Sequence, residues 1–540
     1  MMKRIIFSII VITGMFISCN DDLLNKYPVT TINPSTFWQD ESEAKMAAND
    51  LYRFLPQINT QVRFDNITDI SIEPASTAND LVKGLVDPTY RAFQNWWTDN
   101  YRAVSAANRF LEGVELIPKD KISAEEYERF RAEARFIRAM SYTFLTNYFG
   151  DIPLFTHEIT VSEALDIKRT DKQEILNFIE KELTEIANIL PAEYKNTDIG
   201  RITKGAALAW KARAMLWSKQ YAKAAEAARA VMDMKLYELH PDYAELFKYN
   251  GEYTTKEVIL ERIYSAINTH NFTNVAAPYG ITGQSTTLVV NPTRLLADSY
   301  ETINGFPIGK DPAYNPEDPY RNRDPRMQAT IWLPVFKEGS YADVLWGSSI
   351  PYDCRPGSKS KDEVQTTQTV NMTGFVLKKY TNIEDMANPT LCSQNFIILR
   401  YADVLLMYAE AQNEISGSPD KSIYDAVNIV RTRIGLPGLP DNLSKEEMRE
   451  RIRQERKVEL AMEGWRFYDI RRWDIAQDLM KNSEPIPGMR YRDIETGELK
   501  TLVWTSAQWN YPKKNEEHLF PVPFAEYNMN PNLLPQNAGW

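Results

Sequence analysis

Polar and apolar positions in the first half of the chain repeat with the period of a helix. Ser123 is followed three residues later by Glu126, which is a capping-box pattern, and apolar side chains then recur at one-turn spacing up to Tyr148. Gly150 and Pro153 follow directly and predict the end of this helix. The pattern therefore predicts one long helix over residues 123–149.

Shorter helices are predicted from the same spacing of apolar residues and from the same kinds of helix-ending residues. One is predicted from Asp171 to Leu190, before Pro191. Residues 201–233 contain two apolar, alanine-rich faces separated near Lys219, and residues 404–434 repeat this pattern around a Gly-Ser-Pro turn. Each segment resembles a tetratricopeptide helix pair, whose apolar side needs a neighbouring pair to cover it. We therefore expect a mainly α fold on a helical-repeat scaffold.

The middle of the chain has a different character. Residues 241–395 are rich in Asn, Pro, Gly, Thr and aromatic side chains, with only short apolar runs. This composition predicts long loops and a few short strands, and long loops in compact proteins are usually functional. The segment after Ser483 is again rich in Pro and Asn, and we expect it to be extended along the body of the protein.

The first residues have the layout of a signal peptide. Lys3 and Arg4 precede thirteen mostly apolar residues, and Ser18 and Cys19 follow. Thirteen helical residues cover about 20 Å, well short of the roughly 30 Å hydrocarbon core of a bilayer. We expect cleavage before Cys19 and acylation of that cysteine, which would hold the protein on a membrane. The alternative is an ordinary secretory signal with an incidental cysteine.

No later segment reaches eighteen uninterrupted apolar residues, so we expect the lipid anchor to be the only membrane attachment. The formal net charge of −11 argues against nucleic acid as a partner. It also weakly disfavours acidic glycans, unless a basic pocket overrides it locally. After cleavage only Cys354 and Cys392 remain, either as one disulfide or as two buried thiols.

Catalytic motifs give no match. The chain lacks H-E-x-x-H and G-x-S-x-G, and its four histidines are scattered along the sequence. Gly200 and Gly205 have the outer spacing of a phosphate loop, but Ala206 and Ala207 replace the required Lys and Ser or Thr. We therefore predict no catalytic residue, no metal site and no cofactor.

Glu455, Glu459 and Glu463 lie one helical turn apart on one face. Such a stack suggests either acid catalysis, a carboxylate metal site or an ion network, and we favour the network because unpaired like charges repel at this spacing. Its expected partners come from the same segment: Arg456, Arg466, Arg471 and Arg472. A glycosidase needs only two carboxylates a few ångströms apart, which sequence spacing does not test.

Sugar binding requires flat apolar faces together with amides, carboxylates or guanidinium groups that match hydroxyls. One place offers this combination at the start of a predicted helix: Asn79, Asp80, Trp96, Trp97 and Asn100. We predict ligand binding by Asp80, by both tryptophans and by Asn100. For Trp97, binding and burial in the core are evenly balanced.

A second place lies in the long loops and contains Tyr279, Trp332, Tyr341, Trp346 and Arg355. Trp332 stands between two aliphatic residues and is predicted to be core, whereas Trp346 stands beside a glycine and two serines and is predicted to be exposed. Arg355 supplies either a basic pocket or a solvated loop charge. We predict ligand binding by Tyr279, Tyr341, Trp346 and Arg355.

Five short motifs occur in order along the chain: Asn147–Leu154; Asn322–Arg326; Arg400–Leu406 with Ala409–Ala411; Glu455–Arg456 through Glu463–Arg466 to Asp469; and Phe520–Pro523 with Gln536–Trp540. Together they resemble the SusD/RagB family of Bacteroidetes outer-membrane lipoproteins over nearly the whole mature chain. Residues 20–22 resemble the acidic tag that directs such lipoproteins to the cell exterior.

The resemblance implies a SusD-like fold, with ligand-binding loops on one side of a tetratricopeptide-like scaffold. It divides the chain into a signal peptide (1–18), an N-terminal helical region (19–245) and a C-terminal region with a loop insertion and a helix pair (246–540). Family members lie as lids on a SusC-like TonB-dependent transporter and capture oligosaccharides, or in some cases peptides. By analogy, Trp97 and Asn100 fall where members place a stacking aromatic and its polar neighbour.

We therefore expect a non-enzymatic receptor, anchored in the outer membrane and facing the exterior, that binds a glycan and delivers it to the transporter. Three alternatives stay open. They are capture of peptides, glycoside hydrolysis at the cell surface, and a structural role beside the transporter without a soluble ligand.

Overall fold

The computed structural model describes residues 37–73, 78–252, 255–283, 288–364, 371–481 and 485–540. Cys19 and the leader lie outside these ranges. The described chain is mainly helical, and its helices of seven or more residues are α1 (Glu41–Leu51), α2 (Arg91–Val114), α3 (Ala124–Phe149), α4 (Lys172–Ile186), α5 (Lys204–Trp217), α6 (Tyr221–Asp233), α7 (Tyr401–Ile415), α8 (Lys421–Arg433), α9 (Lys445–Glu459) and α10 (Arg466–Arg472).

Shorter helices connect these elements and are left unlabelled. The α-helical ones are Ile58–Gln61, Ala78–Val82, Val161–Ala164, Phe272–Ala276, Tyr279–Thr282, Arg294–Ser299, Pro325–Thr330, Ala476–Leu479 and Phe524–Met529. The 3₁₀ turns are Tyr52–Phe54, Val62–Ile67, Asn196–Asp198, Glu245–Phe247, Tyr249–Gly251, Ile383–Ala387 and Pro531–Leu533.

The strands form antiparallel pairs of two: β1 (Ser71–Ile72) with β3 (Asn291–Pro292), β2 (Val258–Arg262) with β6 (Phe396–Arg400), β4 (Ile331–Trp332) with β5 (Val376–Leu377), and β7 (Pro485–Arg492) with β8 (Leu499–Gln508). Four of these eight strands lie within residues 241–395, the region predicted to hold loops and short strands, and β6 begins directly after it, which confirms that prediction. The hairpin β7–β8 occupies part of the segment predicted to be extended, so there the prediction was incomplete.

Helix α3 begins and ends as predicted. The Ser123 hydroxyl oxygen accepts a hydrogen bond from the Glu126 backbone N–H at 3.2 Å, and Gly150 ends the helix with φ of 73°. The reciprocal half of the capping box is different: the Ser123 N–H donates to the Glu41 carboxylate at 3.1 Å, while Glu126 pairs with Arg129. Thus α1 supplies part of the cap of α3.

The two predicted helix pairs are confirmed and pack on each other. Lys219, with φ of 59°, separates α5 from α6, and residues 416–420 separate α7 from α8. Helix α6 packs against both α5 and α7, so the pairs are neighbours despite their distance in sequence. Helices α2, α3 and α4 continue the stack on the α5 side, and α9 packs on α7. This arrangement is the tetratricopeptide-like scaffold.

Glu455 and Glu459 of α9, together with Glu463, are the centre of a buried ion network. Helix α9 ends at Glu459, so the prediction that Glu463 continues the same helix face was wrong, and Glu463 lies in the turn that follows. Glu455 lies 2.6 Å from Arg326, and Glu459 lies 2.8 Å from Arg326 and 2.6 Å from Arg400. Glu463 lies 2.7 Å from Arg400. All five side chains are buried. The network prediction is therefore confirmed, since each carboxylate has a cation to offset its desolvation.

The predicted partners of these glutamates were wrong. Arg456 pairs with Asp403 and Asp469, at 3.0 Å each, because residues next to each other on a helix point about 100° apart. The three other arginines also bind elsewhere: Arg466 to Asp69, Arg472 to Glu410 and Asp469, and Arg471 to Asn147 and a backbone oxygen of His518. The cations that face α9 come from distant segments.

Cys354 and Cys392 are both buried free thiols. Their sulfurs donate to the backbone oxygens of Gly374 and Pro389, at 3.2 Å each. Burial raises the pKa of Cys392 to about 11, so the thiol stays protonated at neutral pH. Of the two alternatives, one disulfide or two thiols, the structure therefore has two thiols.

None of the helices in the described ranges has both the length and the apolar character needed to cross a bilayer.

Candidate functional site

An open cavity of about 1270 Å³ lies along α2. One turn after another of this helix lines it, from Ala92 to Arg109. The other walls come from the segment between Arg53 and Phe64, from Ser141, Phe144 and Tyr148 of α3, from the loop between Pro153 and Ile167, and from Arg262, Glu526 and Leu533. We refer to it as the α2 cavity.

Trp96 is the main aromatic residue of this cavity. Its half-buried ring stacks on Tyr148 with centroids 5.0 Å apart and planes at 25°, and it lies 5.5 Å from the ring of Phe64. All three rings line the cavity. On the protein side, Phe467 and Phe520 lie 6.2 and 5.5 Å from Trp96. The rings form a rigid apolar surface at the cavity wall, suited to stacking.

Tyr148 is held from behind by the C-terminal half of the chain. Its phenol oxygen lies 2.5 Å from that of Tyr468, and both side chains are buried. Burial raises the pKa of Tyr148 and of Tyr468 above their usual range, so both groups stay neutral and share one hydrogen bond. The stacking surface beneath Trp96 is therefore fixed by contacts between distant parts of the chain.

Polar groups surround the aromatic surface on the solvent side of α2. Asn95 and Asp99 are exposed, and Arg102 lies 3.4 Å from the Asp99 carboxylate. The Asn100 amide nitrogen donates to the backbone oxygen of Trp96 at 2.7 Å, which orients that side chain beside the ring. Amide, carboxylate and guanidinium groups thus stand next to a flat ring, the combination that matches sugar hydroxyls and C–H faces.

Only part of the first predicted set of ligand-binding residues lies in the α2 cavity. Trp96, Trp97 and Asn100 all line the α2 cavity, but Trp97 is only 4% exposed and packs edge-on against Phe149 with centroids 5.2 Å apart. Most of its ring is packed in the core, and ligand binding by Trp97 stays a prediction. Asp80 lies on the short helix Ala78–Val82 and is not among the residues that line the cavity.

The cavity also contains residues that sequence reasoning missed. Phe64 lies on a helical segment that is attached to Gly464: the Gly464 N–H donates to Asp65 at 3.0 Å, and the Gln61 amide donates to the Gly464 oxygen at 3.1 Å. Gly464 has φ of 80°, and a Cβ there would lie 2.0 Å from the Gln61 oxygen. Only glycine allows this approach.

The second predicted place is not a single site. Trp332 is fully buried, as predicted. Trp346 is half-buried rather than exposed as predicted, because its ring packs edge-on against Trp332 with centroids 5.2 Å apart. Trp346 lines two small cavities of about 330 and 310 Å³, which also share Lys248. Neither Tyr279 nor Tyr341 is among the described residues that line these cavities.

Arg355 does not make a basic pocket. Its guanidinium lies 2.7 Å from the carboxylate of Asp353, two residues earlier, so the loop charge is neutralised locally. Tyr341 lies 5.8 Å below the Arg321 guanidinium, and burial raises its pKa to about 12. The residues of the second predicted place therefore do not line one common cavity.

Within the described ranges, no three His, Cys, Asp or Glu side chains are grouped so that they could hold a metal ion. The buried histidines have structural partners: His270 contacts the backbone oxygen of Gln394 at 3.0 Å, and His518 contacts the carboxylate of Asp474 at 2.8 Å.

A stacked-helix scaffold that carries an open cavity with an aromatic wall defines a helical-repeat binding protein. Residues 256–540 match the sequence model of the SusD family, and residues 37–216 match a model described as starch-binding associating with outer membrane. The first match covers more than half of the chain. The chain therefore belongs to the SusD family.

Individual members of the family align with nearly the full length of the chain. SusD-like protein P25 of Formosa agariphila is 27% identical over 98% of both chains. The starch-binding protein SusD of Bacteroides thetaiotaomicron is 32% identical over 180 residues, which are 31% of this chain and 30% of that protein. A crystal structure of a SusD-like carbohydrate binding protein from Bacteroides fragilis superimposes with a TM-score of 0.81, at 26% identity, over 92% of this chain and 100% of that chain.

Proposed function

We propose that the protein binds an oligosaccharide, or part of a polysaccharide, in the α2 cavity, with a sugar ring against Trp96. The half-buried ring of Trp96, stacked on Tyr148 and flanked by Asn95, Asp99 and Asn100, is the observation that carries this proposal. A flat indole covers the C–H face of a sugar, and the neighbouring polar groups match its hydroxyls. The names of the starch-binding and carbohydrate-binding relatives support the same class of ligand.

The size of the cavity favours an oligomer over a monosaccharide. Its volume of about 1270 Å³ exceeds that of most small-molecule pockets, which enclose roughly 300–1,000 Å³. The lining residues of α2 extend over seventeen helical steps, or about 26 Å of helix. A long open surface of this kind suits a segment of chain with several sugar rings.

We propose capture without cleavage of the glycan. The carboxylates that line the cavity each have a neighbouring partner: Asp99 lies 3.4 Å from Arg102, Glu73 lies 3.6 Å from Arg63, and Glu526 accepts from Gln94 at 2.5 Å. An acid–base pair for hydrolysis needs one carboxyl group to stay protonated near the bond to be cleaved. Burial raises the pKa of Glu73, which makes it the cavity carboxylate best suited to hold a proton. Asp99 and Glu526 are engaged by side-chain donors, and this engagement favours binding over catalysis.

We further propose that Cys19 carries the lipid anchor, that the protein lies at the outer membrane facing the exterior, and that it delivers the glycan to a SusC-like TonB-dependent transporter. The signal-peptide layout, the family membership and the family description that names the outer membrane support this part. Peptide capture is the alternative within the family, and the nature of the bound ligand separates the two.

Isothermal titration of the purified mature protein against neutral oligosaccharides, acidic oligosaccharides and peptides tests the proposal. We expect binding of at least one glycan and none of the peptides. Trp96→Ala should weaken that binding about fivefold or more, since a stacked aromatic contact contributes roughly 1 kcal/mol or more. Asn95→Ala tests the same cavity without a change in the packed core, because Asn95 is exposed.

Trp346→Ala is the matched comparison, because Trp346 is also half-buried but lies outside the α2 cavity. We expect a change of less than about twofold there. Binding lost with Trp346→Ala and kept with Trp96→Ala would move the site to the loop region. Release of reducing ends from a bound glycan would contradict capture without cleavage, and binding of peptides alone would replace the glycan with a peptide.

A further inference from the structure

The charge of the α2 cavity differs from that of the whole chain. The protein has a net charge of −11, yet five arginines and three carboxylates line this cavity. Four of the arginines lie within 4 Å of a carboxylate: Arg53 with Asp50, Arg63 with Glu73, Arg102 with Asp99, and Arg109 with Glu158. Arg262 is the fifth, and no carboxylate lies within this distance of it among the described residues.

Arg262 is held firmly in the cavity wall. It lies at the end of β2, and its Nη1 donates to the backbone oxygens of Arg53 at 2.8 Å and of Leu55 at 2.7 Å. The Tyr264 ring centroid lies 5.6 Å from the guanidinium carbon. The guanidinium is thus positioned by neutral groups. It lines the cavity with its orientation fixed before any ligand arrives.

The charge of Arg262 has little compensation. The side chain is half-buried, and its Nε is enclosed in the wall without a hydrogen-bond partner in the described structure. The preceding residue, Glu261, contacts the Asn395 amide at 3.0 Å instead. Burial lowers the pKa of Arg262 from its usual value, the direction expected for a cation that has lost water and gained no carboxylate. A partly desolvated cation is stabilised by an anion that binds beside it.

We infer that the α2 cavity contains a subsite for an acidic substituent of the glycan, a carboxylate or a sulfate ester, with Arg262 as its cation. This inference rests on the proposed function, because it assumes that a glycan occupies the cavity. A planar guanidinium held by two carbonyl oxygens suits these oxyanions, which accept charge-assisted hydrogen bonds. Arg53, whose backbone oxygen accepts from Arg262, adds a positive charge that its exposed partner Asp50 only partly screens.

Titration calorimetry with three sets of oligosaccharides tests the subsite: neutral glucans, uronate oligomers and sulfated galactans. We expect the wild type to bind the uronate or the sulfated set more tightly than the neutral set, and the outcome distinguishes the two sources of charge. Added NaCl should weaken this binding, since screening acts on the ion pair. Arg262→Gln should weaken binding of the acidic ligand about tenfold or more and leave binding of neutral ligands within about twofold.

Arg229→Gln is the charge-matched control, since Arg229 is exposed on α6 and pairs with Asp233 outside the cavity. Should Arg262→Gln fail to fold, Arg262→Lys and the salt titration of the wild type still test the inference, because Lys keeps the charge. Binding of neutral ligands alone, or an equal loss for neutral and acidic ligands with Arg262→Gln, would overturn the subsite and leave glycan capture intact. Absence of binding to any glycan would overturn both.

Discussion

The phenol oxygens of Tyr148 and Tyr468 lie 2.5 Å apart beneath the ring of Trp96. One tyrosine belongs to α3 and the other to α10, 320 residues later in the chain. The surface proposed to hold the ligand is thus supported by a hydrogen bond between two segments that are far apart in the chain. Its position depends on the correct assembly of both halves.

Tyr468→Phe should lower the free energy of unfolding by about 1–3 kcal/mol, because it leaves the buried Tyr148 hydroxyl without its partner. Denaturation in urea measures the change. Tyr148→Phe with Tyr468→Phe removes both hydroxyls together, so the double variant should lose less stability than the sum of the single variants. Additive losses would mean that the two hydroxyl groups are not coupled.

Glu459→Gln should lower the free energy of unfolding by about 3–5 kcal/mol. Glu459 contacts Arg326, Arg400 and Arg433, and these cations hold its pKa well below the usual range. Loss of its charge leaves buried guanidinium groups without part of their compensation. Guanidinium chloride denaturation measures this change.

Glu446→Gln on the same helix is the control for Glu459→Gln. Glu446 is exposed and lies 3.9 Å from Arg449, so its removal should change stability little. Similar losses for the two variants would show that the buried network adds nothing beyond the charge of α9.

Asp65→Asn should change the pH dependence of stability. Burial raises the pKa of Asp65 to about 7, whereas the unfolded chain titrates near 4. Between these values the folded state keeps a proton that the unfolded state has lost, so the wild type loses stability as pH rises from 4 to 7. The variant lacks this titration, and its stability relative to the wild type should rise by roughly 2–4 kcal/mol over that range.

Thermal or chemical denaturation at a series of pH values measures the effect of Asp65→Asn. Asp425→Asn serves as the control, because Asp425 is exposed beside Lys421 and should give a nearly constant difference from the wild type. A constant difference for Asp65→Asn as well would mean that Asp65 is ionised in the folded protein throughout this range.

Cys19→Ala should move the protein from the membrane fraction to the soluble fraction, because acyl chains contribute roughly 0.8 kcal/mol of membrane affinity per buried methylene. Fractionation followed by immunoblotting detects the change. Cys392→Ala, which alters a buried thiol, should leave the protein on the membrane. Retention of the Cys19 variant on the membrane would show that another attachment exists.

Local rules of sequence predicted most of the helices. Ser123 and Gly150 gave the ends of α3 because capping and termination depend on nearby backbone groups, and the alanine-rich faces predicted the stacked pairs. The C-terminal hairpin was missed because Pro485 and Pro487 are unusual in strands other than edge strands. Helix α4 ends four residues before the predicted Leu190, in a turn that precedes Pro191.

The candidate site was predicted only in part. The helical spacing of Phe93, Trp97 and Val104 places Trp97 on the buried face of α2 and Trp96 at its edge, so the burial of Trp97 was predictable from the sequence. Phe64 and Arg262 enter the cavity through contacts with distant segments, and no local pattern reveals such contacts. The same limit applies to the partners of Glu459, which come from separate parts of the chain.

Of the five motifs that carry the family resemblance, only Tyr148 and Pro153 line the α2 cavity. The other motif residues form helix caps, buried ion pairs and the joint between Asn537 and the backbone oxygens of Phe149 and Phe520. Apart from Tyr148 and Pro153, the motif residues therefore hold the fold and lie outside the lining of the proposed site. If the α2 cavity binds the ligand as proposed, substitutions at exposed positions of α2 and of residues 53–64 can change the ligand that is bound without altering the contacts that hold the fold.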